Sequence, residues 1–287
     1  MAIQMMSGYP VGGWLLEQEN RFALNSLSTD LSGLLQGTFQ GPAEVDPRGM
    51  VAASFMDSDP RPDVTVEDQG QQGSCQGHAL SSVCEFCYFI ATGGQRVEFS
   101  RAYGYYGSQK IDGINGDRGS TLDGGRRLVT EKGIPLESVW PYPPKYNNQP
   151  PGGWEHQYEA AAANKIQSHT VMKSGEDCKK YIGLGIGGIE IGISWGGNVN
   201  SQGVFQWSPS GGGHALCFLG YTTINGIVYF WMLNSWTKKW GLDGWALVPI
   251  TTVDQMLRDR STVMIGLSDM SAPEPRAWDF VKDSMYW

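Results

Sequence analysis

Asp68-Gln69-Gly70-Gln71-Gln72-Gly73-Ser74-Cys75-Gln76-Gly77-His78-Ala79 opens as a glycine-rich loop and closes as a helix, with a cysteine at the junction. Downstream, Ala79, Val83, Phe86, Cys87 and Ile90 recur at helical spacing, so one buried face is expected from Ala79 to Ile90. Gly93-Gly94 supplies the stop. Ser74 reads as the N-cap, which puts Cys75 in the first turn. Unpaired N–H groups and the positive end of the helix dipole there favour a thiolate over a thiol. A cysteine so seated is a candidate nucleophile.

Acyl-transfer chemistry also needs a base, a group to orient that base, and donors for an oxyanion. His214 follows Gly211-Gly212-Gly213 and begins an apolar run through Tyr221. Asn234, in Leu233-Asn234-Ser235-Trp236, ends the next run, which starts at Ile227. Asn225-Gly226 between the runs is a hairpin signal, and an antiparallel pair brings the start of one strand beside the end of the next. Counted from a two-residue turn, His214 falls opposite Thr237, about 10 Å from alignment with Asn234. A bulge, or a tip nearer Ile224, would close the gap.

These segments resemble papain-like cysteine peptidases. A glutamine precedes the nucleophile by six residues in that family, as Gln69 precedes Cys75, and the histidine and asparagine lie far downstream, as His214 and Asn234 do. Gly220-Tyr221, Trp240-Gly241 and Gly244-Trp245 extend the match, which covers about 60–265. The resemblance implies a Cys75–His214 reactive pair, Asn234 orienting the imidazole, and an oxyanion site built from the Gln69 amide and the Cys75 N–H. Trp236 would shield the His–Asn bond. Gly119, Ser120 and Gly213 join Trp236 as implied substrate-binding positions, with Gly124-Gly125 an alternative alignment for the first two. The chain departs from the family signature at Gln72, where secreted relatives place a disulfide cysteine, and at Gln76, where they place an aromatic.

The implied fold is α+β with two lobes: a helical lobe over about 61–164, an antiparallel barrel-like β lobe over about 165–267, and a cleft between them. Ser120 with Asp123 looks like a capping-box start to a second helix, Asp177–Leu184 a short helix, Ile189–Trp195 an alternating strand, and Trp245–Val248 a last strand. Residues 1–60 read as a capping or docking extension with a short helix around Leu27–Leu35. Asp57–Pro62 reads as a linker and 268–287 as an aromatic tail. Either end could take a protein partner.

With 40% hydrophobic residues and eleven tryptophans, the 287-residue chain has ample core. Its net charge of −8 leaves no footprint for nucleic acid, and no run is long enough for a membrane span. Five cysteines is an odd count, so at least one stays free or bonds outside the chain. The start lacks a signal-peptide pattern and Gln72 stands where secreted relatives of the family it resembles place a disulfide cysteine, so a reducing cytoplasmic origin is favoured, with particle packaging or non-classical export open. Cys84 and Cys87 lie mid-helix, and with Cys178 and Cys217 they read as core; no zinc-site spacing occurs, and no metal or cofactor is expected. His78, one turn past Cys75, reads as a hydrogen-bonded core residue. The expected activity is endopeptidase cleavage of peptide or protein substrates. The rivals are a papain-fold component of a larger assembly, such as a virion, and a cell-wall amidopeptidase or acyl transferase.

Overall fold

The computed structural model describes residues 4–6, 9–11, 14–15 and 66–271. The expected helix around Leu27–Leu35, the linker at 57–62 and the aromatic tail from 272 onward lie outside them. A two-stranded ribbon, β1 (Gln4–Met6) and β2 (Tyr9–Val11), is followed by helices α1 (Cys75–Thr92), α2 (Arg101–Asp112), α3 (Leu122–Glu131) and α4 (Gly153–Ala161). Then come β3 (Ile166–Val171), α5 (Gly175–Gly183), β4 (Gly187–Ser194), β5 (Gly197–Val199), β6 (Phe205–Trp207), β7 (Gly213–Ile224), β8 (Ile227–Leu233), β9 (Trp245–Pro249), α6 (Ile250–Arg258) and β10 (Val263–Met270). Helices dominate up to Ala161 and strands after it, which is the two-lobe α+β arrangement.

One antiparallel sheet, ordered β3-β10-β4-β7-β8-β9, forms the second lobe. Its middle strand β4 is buried on both faces. Gly188 and Glu190 face α1: a Cβ on Gly188 would meet Val83, and Glu190 is bonded by Gln76. The opposite face carries Gly266, the register partner of Ile189, against Tyr181 of α5.

Because α1 lies between that sheet and the other helices, it is buried around nearly its whole circumference rather than on the single face its periodicity suggests; Leu80 and Cys84 are as buried as Val83. Burying a side chain the size of Leu80 contributes about 1.5–3 kcal/mol. Gly77 lets α2 approach, since a Cβ there would lie 2.6 Å from the Tyr105 nitrogen. Gly93, in the left-handed region, ends the helix as expected.

Local chemistry differs from the sequence reading at both N-caps. Ser74 precedes α1 but makes no capping bond; its hydroxyl pairs with the Tyr142 hydroxyl at 2.5 Å. Thr121, not Ser120, caps α3, its side chain accepting from the Gly124 N–H at 2.8 Å, because the Ser120 hydroxyl is drawn to Gln76.

The β7–β8 hairpin turns at Asn225-Gly226, both with positive φ. Its register runs Ile224↔Ile227 to Gly220↔Trp231, then resumes at Phe218↔Met232, leaving Leu219 as an extra residue. That bulge changes parity as well as distance. Without it His214 would face Thr237, with Asn234 three positions away on the other side of the ribbon. With it, the Cys217↔Leu233 register, extended past the end of β8, sets His214 opposite Trp236, and Asn234, two residues away, shares His214's side.

Candidate active site

Cys75 is the first residue of α1 and fully buried. The backbone N–H of Ala215, one residue past His214 on β7, donates to its Sγ at 3.4 Å. Burial outweighs that bond and the helix-start N–H groups, pushing the thiol up to about 12. His214 is equally buried, and desolvation lowers it to about 4 against the opposing bond from Asn234. The helix start was expected to favour a thiolate beside an imidazolium; removal of water instead favours the neutral thiol and neutral ring.

Asn234 Oδ1 is 2.9 Å from His214 Nε2 and accepts the Ser235 N–H at 2.8 Å. An oxygen that only accepts requires the ring proton on Nε2, leaving a lone pair on Nδ1. Nδ1 has no hydrogen-bond partner among the described residues, so the thiol and ring are neighbours through Ala215 without a direct bond. The ring is held between two indoles, Trp195 and Trp236, each with its centroid 4.8 Å away. Trp236 was expected from the sequence. Trp195 was not singled out for this role, although it directly follows β4.

Gln69 is oriented by two donors to Oε1, the Ser235 hydroxyl at 2.7 Å and the Trp236 indole N–H at 3.0 Å. Its Nε2 therefore points the other way, donating to the carbonyls of Gln72 at 3.0 Å and Pro10 at 3.4 Å.

Pro10 belongs to the N-terminal ribbon, and its neighbours follow it along the cleft. Tyr9 stacks on Trp236 at 5.3 Å. Trp14 bridges to Ser120, and the next N–H, from Leu15, donates to the Ser120 carbonyl at 3.0 Å. The indole of Trp14 is 2% exposed and lies over Gly192, where a Cβ would come within 2.5 Å of the ring. The Trp14 carbonyl lies against Gly213, which likewise has no room for a Cβ. Ser120 and Gly213 thus touch an extended peptide, the chain's own. Gly119 lies beneath them, its N–H bonded to the Tyr105 hydroxyl at 3.2 Å and its carbonyl to Gln109 Nε2 at 2.9 Å. The alternative pair Gly124-Gly125 sits inside α3 against Asp112 and Gln76.

Both departures from the family signature have structural partners. Gln72 accepts from the Tyr106 hydroxyl at 2.6 Å and donates to the Pro143 carbonyl at 2.7 Å, a polar staple between the loop before α1, helix α2 and the segment around Pro143. Gln76 accepts from the Ser120 hydroxyl at 2.8 Å and donates to buried Glu190 at 3.1 Å, joining the shelf under the peptide to the sheet. Glu190 could have been noticed as the one carboxylate in an otherwise apolar strand. All five cysteines are free, and no group of metal-binding side chains occurs among the described residues. Nor is any described helix long and apolar enough to cross a membrane.

The class this defines is an α+β protein with a cysteine at a helix start, set beside a strand-borne histidine–asparagine pair. The family model for papain family cysteine protease matches residues 55–262, and the chain belongs to that family. Digestive cysteine proteinase 2 of Homarus americanus is 29% identical over 194 residues, covering 63% of this chain and 56% of that protein. A viral cathepsin of Autographa californica nuclear polyhedrosis virus is 26% identical over 198 residues, covering 63% and 54%. The chain spans between half and two thirds of the length of the curated relatives it matches. Among solved structures, xylellain, a cysteine protease from Xylella fastidiosa, shares the fold with a TM-score of 0.67 at 21% identity, covering 93% of this chain and 99% of that one.

Proposed function

We propose that the chain is a cysteine-type endopeptidase in which Cys75, His214, Asn234 and Gln69 carry the reaction, and that its N-terminal segment caps the cleft. The observation that carries this reading is the His214 Nε2–Asn234 Oδ1 bond, which leaves a lone pair at Nδ1 on the residue beside the one that contacts Cys75 Sγ. In an open cleft, Nδ1 takes the thiol proton and the sulfur attacks a peptide carbonyl. The oxyanion is received by Gln69 Nε2 and the Cys75 N–H. His214 returns the proton to the leaving amine as the C–N bond breaks. Water, deprotonated by the same ring, then attacks the thioester; the acid product leaves and the thiol is restored.

The Pro10 carbonyl approaches the Gln69 amide as a substrate carbonyl would. Residues before it lean on Trp236 and residues after it reach Ser120. With the acyl half of a substrate on the Ser120 shelf and the leaving half beside Trp236, this segment runs backwards, so the Val11 nitrogen is on the wrong side for protonation by His214. It occupies the cleft without being a substrate.

The test is alkylation of Cys75 by an iodoacetamide-type reagent together with turnover of a peptide library. Reaction at Cys75, lost in Cys75→Ala and slowed in His214→Ala, is expected once the segment is displaced. Uniform labelling of all five cysteines in the folded protein, or a displaced segment with no gain in turnover, would refute the reading.

A further inference from the structure

Behind the His214–Asn234 pair, between α1 and the β7–β8 hairpin, lies a small cavity lined by Glu67, His78, Ser82, Cys217, Asn234 and Ser235 among others. About 10 Å3 of it is open to the centre of a water molecule, which is room for one. Asn234 Nδ2 and His78 Nε2 are buried and have no hydrogen-bond partner among the described residues. Such atoms are uncommon in folded proteins, and a pair lining one small space has a shared explanation.

Their bonding capacities are fixed from the far side. Asn234 Oδ1 is occupied by His214 and the Ser235 N–H, so Nδ2 has two protons to offer. His78 Nδ1 is 3.0 Å from the Ser74 carbonyl, which only accepts, so Nδ1 carries the proton and Nε2 a lone pair. Burial, with a smaller contribution from Arg101, lowers the His78 pKa to about 3 and keeps the ring neutral. The residues lining the cavity therefore include one with a spare donor, Asn234, and one with a spare acceptor, His78. A water molecule is both acceptor and donor.

We propose that this cavity binds one ordered water, accepting from Asn234 Nδ2 and donating to His78 Nε2, and that His78 thereby acts as a positioning residue for the His214–Asn234 pair. The water's second proton is directed toward Glu67, the carboxyl group in the lining, which is also paired with Arg101. The tether resists rotation of the Asn234 amide, which would turn Nδ2 toward His214 and favour the other ring tautomer. His78 touches no reacting atom; its effect passes through the water and Asn234. The positioning role rests on the peptidase reading above, whereas the water site does not.

The test uses the full chain. A crystal structure at a resolution that orders solvent should show one water within hydrogen-bond distance of both Asn234 Nδ2 and His78 Nε2; an empty or apolar-filled space overturns the proposal whatever the activity. In 15N-histidine-labelled protein, solvent exchange of the His214 Nε2 proton should quicken about fivefold to tenfold in His78→Leu, which has no acceptor. His78→Gln, whose side-chain oxygen restores one, should return it to the wild-type rate. A wild-type rate in folded His78→Leu, or failure of His78→Gln to restore it, overturns the positioning role. Absence of peptidase turnover with the water and the exchange pattern intact would instead sink the peptidase reading and leave this one standing.

Discussion

Cys75 is subject to two opposed influences. The helix start and the Ala215 N–H favour a thiolate, while complete burial favours the thiol, and burial is the larger effect. Residue types and spacing singled out Gln69, Cys75, His214 and Asn234, because the proposed reaction needs such groups and the resemblance supplies their separations. Their charge state was not legible, since it depends on what covers them. Gln69→Ala should lower the turnover of a peptide by about 10²–10³ with little change in KM, because the amide meets charge that exists only in the transition state; an unchanged kcat would remove Gln69 from the oxyanion site. The depressed His214 pKa has a signed consequence for stability. Between about 4 and the ordinary value of 6.5 the unfolded chain binds a proton that the folded ring refuses, so this contribution is lost as pH falls through that window. Urea unfolding at pH 7 and pH 5 should show the wild type losing about 2 kcal/mol more than His214→Gln.

Elements were legible where their signals are local. Asn225-Gly226 marks the hairpin and the α1 repeat marks the helix. By contrast β3 (Ile166–Val171) lacks clear alternation and is made a strand by β10, about a hundred residues later; neither was anticipated. The Leu219 bulge was only one of two remedies for the hairpin offset, since nothing in the local sequence says where a ladder slips. Deleting Leu219 should return Asn234 to the opposite side of the ribbon and abolish turnover while far-UV circular dichroism stays native-like; a folded, active deletion would contradict the parity argument. Gly192 makes a second test at this scale. Gly192→Val places methyl groups where the Trp14 indole lies, so limited proteolysis should cut the N-terminal ribbon faster than in the wild type. Equal rates would mean that the indole does not anchor it.

The whole molecule combines a peptide cleft with a peptide from its own chain. A capping or docking role for the extension was read from the sequence, but the contacts that make it were not, since Tyr9, Pro10 and Trp14 sit more than fifty residues from Gln69. Only the fold brings the Pro10 carbonyl to Gln69 and the Trp14 indole to Gly192. Burying a large aromatic contributes about 2–3 kcal/mol, or roughly 30- to 150-fold in the balance between covered and open cleft. Trp14→Ala should accordingly raise initial turnover by at least about tenfold, read as fluorogenic peptide cleavage; equal or lower turnover with a native melting curve would reject the latent arrangement.

The Gln72 staple carries a practical consequence. Because Tyr106 and Pro143 are gripped by an amide, and all five thiols are unbridged, no covalent link is there for dithiothreitol to cut. Millimolar reductant can protect the proposed nucleophile, Cys75, from oxidation while the melting temperature stays where it was.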